Sequence, residues 1–121
     1  MHVANIKWLS LPAAEAEVEI VDGVVKCVAF SCPCEVDVGD EIIGPLHVFN
    51  LRNAVLVDNV GESISLMGNT GLSHHVVAKL IDPARQICGV GNILLSVEDD
   101  LPGGSEEGNL LAFECGRIDL W

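Results

Sequence analysis

The stretch EAEVEIVDGVVKCVAF, residues 15–30, predicts a β-hairpin and with it the class of the whole chain. Up to Ile20, acidic and apolar residues alternate strictly, which is the two-residue period of a strand with one face in water and one in a core. Asp22 and Gly23 follow, a pair that readily adopts the positive φ angles of a two-residue type I′ turn. The apolar run after them completes two antiparallel strands.

This loop also predicts a register. Val21 pairs with Val24, and the apolar residues of the two strands lie opposite one another on the inner face. Glu19 then lies beside Lys26 on the outer face, and an opposite-charge pair of this kind supports the register. Cys27 points into the core.

Later segments show the same short β-branched or apolar runs, separated by Gly, Asn, Asp or Pro. No segment keeps an apolar period of three to four residues for long. The sequence therefore predicts a single all-β domain over residues 1–121, a small antiparallel β-barrel or sandwich of roughly seven to ten strands. The runs are NAVLVDN (53–59), SISLMGN (63–69), HHVVAKLID (74–82), RQICGVGNILLSVE (85–98) and NLLAFECGRIDL (109–120).

The chain contains a weak internal repeat. VEIVDGVVKCV resembles AKLIDPARQICGV, with Asp22 against Asp82, and VGDEII (38–43) resembles EGNLLA (107–112), each a Gly-polar turn that opens a strand. These matches suggest two similar units of hairpin, loop and returning strand, packed as halves of one barrel. Chance similarity between hairpins is the alternative.

Composition narrows the classes of partner. Eighteen acidic residues against six Lys and Arg give a formal net charge of −12. Such a chain repels phosphate backbones and associates rapidly with basic proteins, although the charge would also serve solubility alone. No apolar stretch approaches the ~20 residues needed to cross a bilayer, and the chain lacks the basic start and apolar core of a signal peptide. We expect a cytoplasmic protein that binds neither nucleic acid nor membrane.

Five cysteines are an odd number in a chain without an export signal, which favours reduced thiols. Cys32 and Cys34 flank Pro33, a tighter spacing than the usual chelating turn of a zinc site. A thiol- or zinc-dependent enzyme or a metal-binding protein centred on this pair, with His47 as a further candidate ligand, is one hypothesis. The alternative is a bend at which Pro33 ends a strand and one cysteine packs as a small apolar side chain.

Catalytic signatures are incomplete. VGESIS (60–65) begins like a nucleophile elbow, but Ser65 stands where the second glycine belongs. GVGN (89–92) lacks the third glycine of a dinucleotide-binding loop. The chain therefore favours a non-enzymatic protein that needs no cofactor.

The loop VEDDLPGGSEEGN (97–109) is polar, acidic and rich in glycine, so we expect it to be exposed and mobile. The leading hypothesis is a protein-interaction module that binds a basic protein, for example an inhibitor or immunity-type protein that covers a cationic toxin face. A structural barrel that self-associates into a homo-oligomer is a further alternative. The candidate partner-binding residues are Glu98, Asp99, Asp100, Glu106 and Glu107.

The two tryptophans lie near the chain ends. Trp8 follows Ile6 with strand spacing, and an indole buries a large apolar area, so we expect Trp8 to pack in the core. Trp121 is expected to pack as an anchor of the terminal strand, with an exposed partner contact as the alternative.

Overall fold

The computed structural model describes residues 1–68 and 71–121, and these residues form nine strands and no helix. The all-β class and the predicted range of strand number are confirmed, while Asn69, which ends the SISLMGN segment, lies outside the described residues. The strands are β1 (His2–Ser10), β2 (Glu15–Asp22), β3 (Val25–Ser31), β4 (Leu46–Val57), β5 (Ser63–Leu66), β6 (His74–Asp82), β7 (Ile87–Val90), β8 (Ile93–Val97) and β9 (Leu110–Asp119).

Five strands close into a barrel in the order β4, β8, β7, β6 and β9, with β9 pairing back onto β4. Four of these pairings are antiparallel, as predicted, but β4 and β8 run parallel. Closure leaves the five strands without a free edge along their paired lengths, which protects their hydrogen-bonding groups from other chains.

The remaining strands lie outside the barrel. β1, β2 and β3 form an antiparallel outer sheet that joins the barrel through a parallel bridge between Phe30 and Asp119. β5 pairs with β6 on the barrel wall. Both hairpins of the internal repeat therefore exist, as β2–β3 and β6–β7. Only the second hairpin belongs to the closed barrel.

One hydrophobic core joins the outer sheet to the barrel. On β2 the predicted alternation is confirmed, since Ala16, Val18 and Ile20 are fully buried. They belong to the same buried cluster as Leu46 of β4 and Phe113 of β9. The outer sheet therefore packs against the barrel and shares its core.

The predicted register of the first hairpin is wrong by two residues. Asp22 still belongs to the strand and pairs with Val25, so the two loop residues are Gly23 and Val24. Gly23 has a φ of 60°, and a positive φ at the first loop position alone is the pattern of a type II′ turn. A shift of two keeps every side chain on its predicted face.

That shift separates the predicted charge pair. Glu19 lies opposite Val28, and Lys26 lies opposite Val21. The first hairpin is therefore stabilised by its buried face rather than by an ion pair across the outer face.

Two other expectations need correction. Trp8 is 44% exposed because β1 is the outermost strand of its sheet. The VGDEII segment opens no strand: Glu41 makes a single bridge to His2, and β4 begins only after Pro45, which has no amide hydrogen to donate.

The described residues contain no helix long and apolar enough to span a membrane.

Candidate functional site

Three adjoining grooves lie between the β3–β4 connection, β4, the chain end after β9 and the start of the β8–β9 loop. The first has a volume of about 370 Å³ and is lined by Ile43 and Trp121 among others. The second, about 270 Å³, extends from Trp121 to Phe49. The third, about 500 Å³, continues from Phe49 to Asp99. Because neighbouring grooves share Trp121 or Phe49, they form one continuous surface.

Carboxylates line all three grooves. Of the described residues that line them, none is Lys or Arg, and His47 is the remaining titratable side chain. The surface therefore presents negative charge beside exposed apolar groups. We call it the acidic-aromatic surface, and it consists of Asp40, Glu41, Ile43, His47, Phe49, Glu98, Asp99, Asp119 and Trp121.

The apolar members of this surface are large side chains that remain exposed. Phe49 and Trp121 are each 56% exposed, and Ile43 is 91% exposed. The packing expected for Trp121 is therefore only partial. Clustered exposure of this kind is more typical of an interaction site than scattered single residues are.

The bend after β3 holds Trp121 in place. The indole N–H donates a hydrogen bond to the carbonyl oxygen of Pro33 at 3.2 Å. The bend is itself fixed, because the amide of Cys34 donates to the carbonyl of Ala14 at 2.7 Å. The CPC stretch thus positions an aromatic side chain of the surface.

Phe49 and Asp119 are held by Arg117, which lies opposite Phe49 in the β4–β9 pairing. The guanidinium of Arg117 lies 4.6 Å from the ring centre of Phe30 and 4.9 Å from that of Phe49. It also donates to both carboxylate oxygens of Asp119, with the Nη2–Oδ2 pair at 3.1 Å. Cation-π contact and a bidentate ion pair together restrict the positions of these side chains.

The backbone of β4 adopts an uncommon conformation beside Phe49. Asn50 has a φ of 61°, in the left-handed region that asparagine tolerates better than most residues. Gly116 on β9 leaves room for it, since a Cβ at position 116 would lie 3.0 Å from the Asn50 side-chain nitrogen. This close approach favours glycine at position 116.

The acidic loop is tied to the barrel at its first residues. The Asp99 side chain accepts a hydrogen bond from the Leu51 amide at 3.2 Å. Gln86 donates to the carbonyl oxygens of Val97 and Asp99 at 2.7 and 2.8 Å. These contacts place Glu98 between Phe49 and Trp121, within both the second and third grooves.

The five predicted partner-binding carboxylates therefore divide into two sets. Glu98 and Asp99 line the acidic-aromatic surface. Asp100, Glu106 and Glu107 are exposed, as expected, but lie elsewhere on the loop and line none of its grooves. The sequence could not distinguish these two sets of carboxylates, because they differ only in how the loop docks on β4.

Cys32 and Cys34 occupy the predicted bend. β3 ends at Ser31, Cys34 is buried and Cys32 is exposed, so the packing alternative for one cysteine is confirmed. His47 lies on the acidic-aromatic surface. Within residues 1–68 and 71–121, no three His, Cys, Asp or Glu side chains form a group that could hold a metal ion. The zinc hypothesis thus has no ligand set in the described residues.

The other thiols are held in their protonated form. Burial raises the pKa of Cys27 to about 12 and that of Cys88 to about 11, and it also raises the pKa of Cys115. A thiol must ionise to act as a nucleophile or metal ligand. These residues therefore serve packing, as their place in apolar alternation indicated.

Sequence reasoning assigned no binding role to Phe49 or Asp119. The alternation of β4 indicates that Phe49 is exposed. Leu46 and Val48 are buried, so residue 49 must face outward. No local pattern predicts that Asp119 lies near Phe49, since this placement depends on β4–β9 pairing.

Comparisons with protein-family models, with curated proteins and with solved structures found no significant match to this chain.

Proposed function

We propose that this protein is a non-enzymatic, cytosolic interaction module that binds a basic protein through the acidic-aromatic surface. The observation that carries the proposal is the placement of two half-exposed aromatic side chains, Phe49 and Trp121, among five carboxylates. An inhibitor or immunity-type protein, which covers the cationic face of a toxin, is the concrete form that best fits this chemistry.

The two kinds of side chain would have different tasks. Large aromatic groups that become desolvated at the centre of an interface commonly contribute most of its binding energy. Carboxylates around them accelerate encounter with a cationic partner and disfavour acidic ones. The net charge of −12 adds a long-range field of the same sign. Binding should therefore weaken as salt rises.

The test is native mass spectrometry of the protein purified gently at low salt from its own cells, with dissociation then followed as salt increases. We expect a bound basic protein that is released by salt and lost when Trp121→Ala removes an aromatic anchor. Leu11→Ala is the matched control, because Leu11 is 72% exposed but lies outside the surface. A partner that is acidic, or that both variants retain equally, contradicts the proposal.

A further inference from the structure

Resting on this proposed function, we infer that the second groove, between Phe49 and Trp121, takes an arginine side chain of the basic partner in preference to a lysine. This assigns one pocket of the surface to one chemical group. The inference follows from the lining of the groove and from an arginine that the protein already holds beside it.

The groove combines what a flat cation needs. Its walls include the exposed rings of Phe49 and Trp121 and the carboxylates of Glu98 and Asp119. Its volume of about 270 Å³ is many times the roughly 10–15 Å³ that one water molecule needs by the same measure. There is room for one long side chain that stacks on a ring and reaches a carboxylate.

Arg117 shows how this neighbourhood holds a guanidinium. It lies over one face of the Phe49 ring, 4.9 Å from its centre, and donates to both oxygens of Asp119. Since Arg117 already donates to both Asp119 oxygens, the carboxylate of the groove with no hydrogen-bond partner among the described residues is that of Glu98. An incoming cation would therefore lie against the face of the Phe49 ring that Arg117 does not cover and pair with Glu98.

Arginine suits this arrangement better than lysine. Its planar, delocalised charge stacks on aromatic faces, offers two parallel donors to one carboxylate and is more weakly hydrated. A lysine ammonium is compact and strongly hydrated, so it loses more on leaving water and gains less from a ring. We expect this preference for arginine over lysine inside a partly enclosed groove, and we expect it to disappear on an open acidic surface.

The experiment is a two-dimensional NMR titration of the full chain with two blocked, unstructured peptides that differ only in carrying arginine or lysine at the same spaced positions. We expect the arginine peptide to bind several-fold more tightly, and to shift the Trp121 indole resonance most. Glu98→Gln should reduce its affinity several-fold. Glu106→Gln, which removes the same charge at the other end of the loop, should leave the affinity nearly unchanged.

Each contrary result has a separate meaning. Equal affinity for the two peptides, with shifts still centred on Trp121, overturns the arginine preference while the proposed function stands. Equal effects of Glu98→Gln and Glu106→Gln show attraction by overall charge and overturn the groove assignment. If neither peptide shifts resonances at the surface, both the arginine inference and the proposed function fail.

Discussion

At the scale of single residues, His74 is the clearest case of a polar group built into the core. It is fully buried on β6. Its Nε2 accepts a hydrogen bond from the Val28 amide of the outer sheet at 3.2 Å, and its Nδ1 lies 2.9 Å from the Leu72 carbonyl. An acceptor at Nε2 and a donor at Nδ1 require the neutral ring. His74 thus fastens the outer sheet to the barrel only while uncharged.

This arrangement predicts a pH-dependent stability. Burial lowers the pKa of His74 below its ordinary 6.5 in the folded state. The unfolded chain therefore binds more protons below about pH 6.5, so the contribution of His74 is complete above that pH and is lost as pH falls toward the lowered value. We expect the free energy of unfolding, measured by urea titration, to fall between about pH 7 and pH 5.

His74→Gln should flatten that dependence, since glutamine offers both a donor and an acceptor without titrating in this range. His75→Gln is the matched control, because His75 is the exposed neighbour on the same strand. Equal slopes for the two variants would refute the role assigned to His74.

Gly116 provides a second residue-scale prediction. Gly116→Ala places a Cβ 3.1 Å from the Cβ of Asn50, closer than ordinary contact, and should destabilise the protein by roughly 1–3 kcal/mol through overpacking. Gly103→Ala, whose Cβ would meet nothing within 4 Å, should be nearly neutral. The test is the free energy of unfolding of both variants, measured by urea titration. If Gly116→Ala were as stable as Gly103→Ala, Asn50 would move aside without cost.

At the scale of elements, the β8–β9 loop shows how an exposed segment is held. The bond from the Leu51 amide to the Asp99 carboxylate joins it to β4. A hydrogen bond to a charged group contributes roughly 1.5–3 kcal/mol. We predict that Asp99→Ala accelerates hydrogen exchange of the Leu51 amide by about tenfold or more. Asp100→Ala, one residue on, should leave that rate unchanged, and similar rates in both variants would show that the loop is held elsewhere.

The elements themselves were largely predictable. Strand positions follow from alternation over consecutive residues and from turn residues, both of which are local properties. The register of the first hairpin was not, because Asp22-Gly23 and Gly23-Val24 are both feasible two-residue loops. A shift of two preserves the buried face, so hydrophobic patterning cannot choose between them.

At the scale of the whole molecule, the net charge of −12 opposes compaction of a 121-residue chain. Salt screens repulsion between exposed charges beyond about 10 Å at 0.1 M. We predict that raising sodium chloride from about 0.02 to about 0.5 M increases the Tm by a few degrees. The double variant Glu106→Gln/Glu107→Gln should show a smaller increase. A Tm that is independent of salt in both proteins would mean that self-repulsion contributes little.

The all-β class, most strands, the buried face of β2 and the acidic field follow from the amino-acid sequence, because each is set by neighbouring residues or by composition. Which strands close the barrel, and which carboxylates lie beside Phe49 and Trp121, depend on long-range packing. The bond that positions Trp121 joins residues 88 apart, and the His74 bond joins residues 46 apart. Such contacts depend on strand order and edge position, which local patterning does not encode.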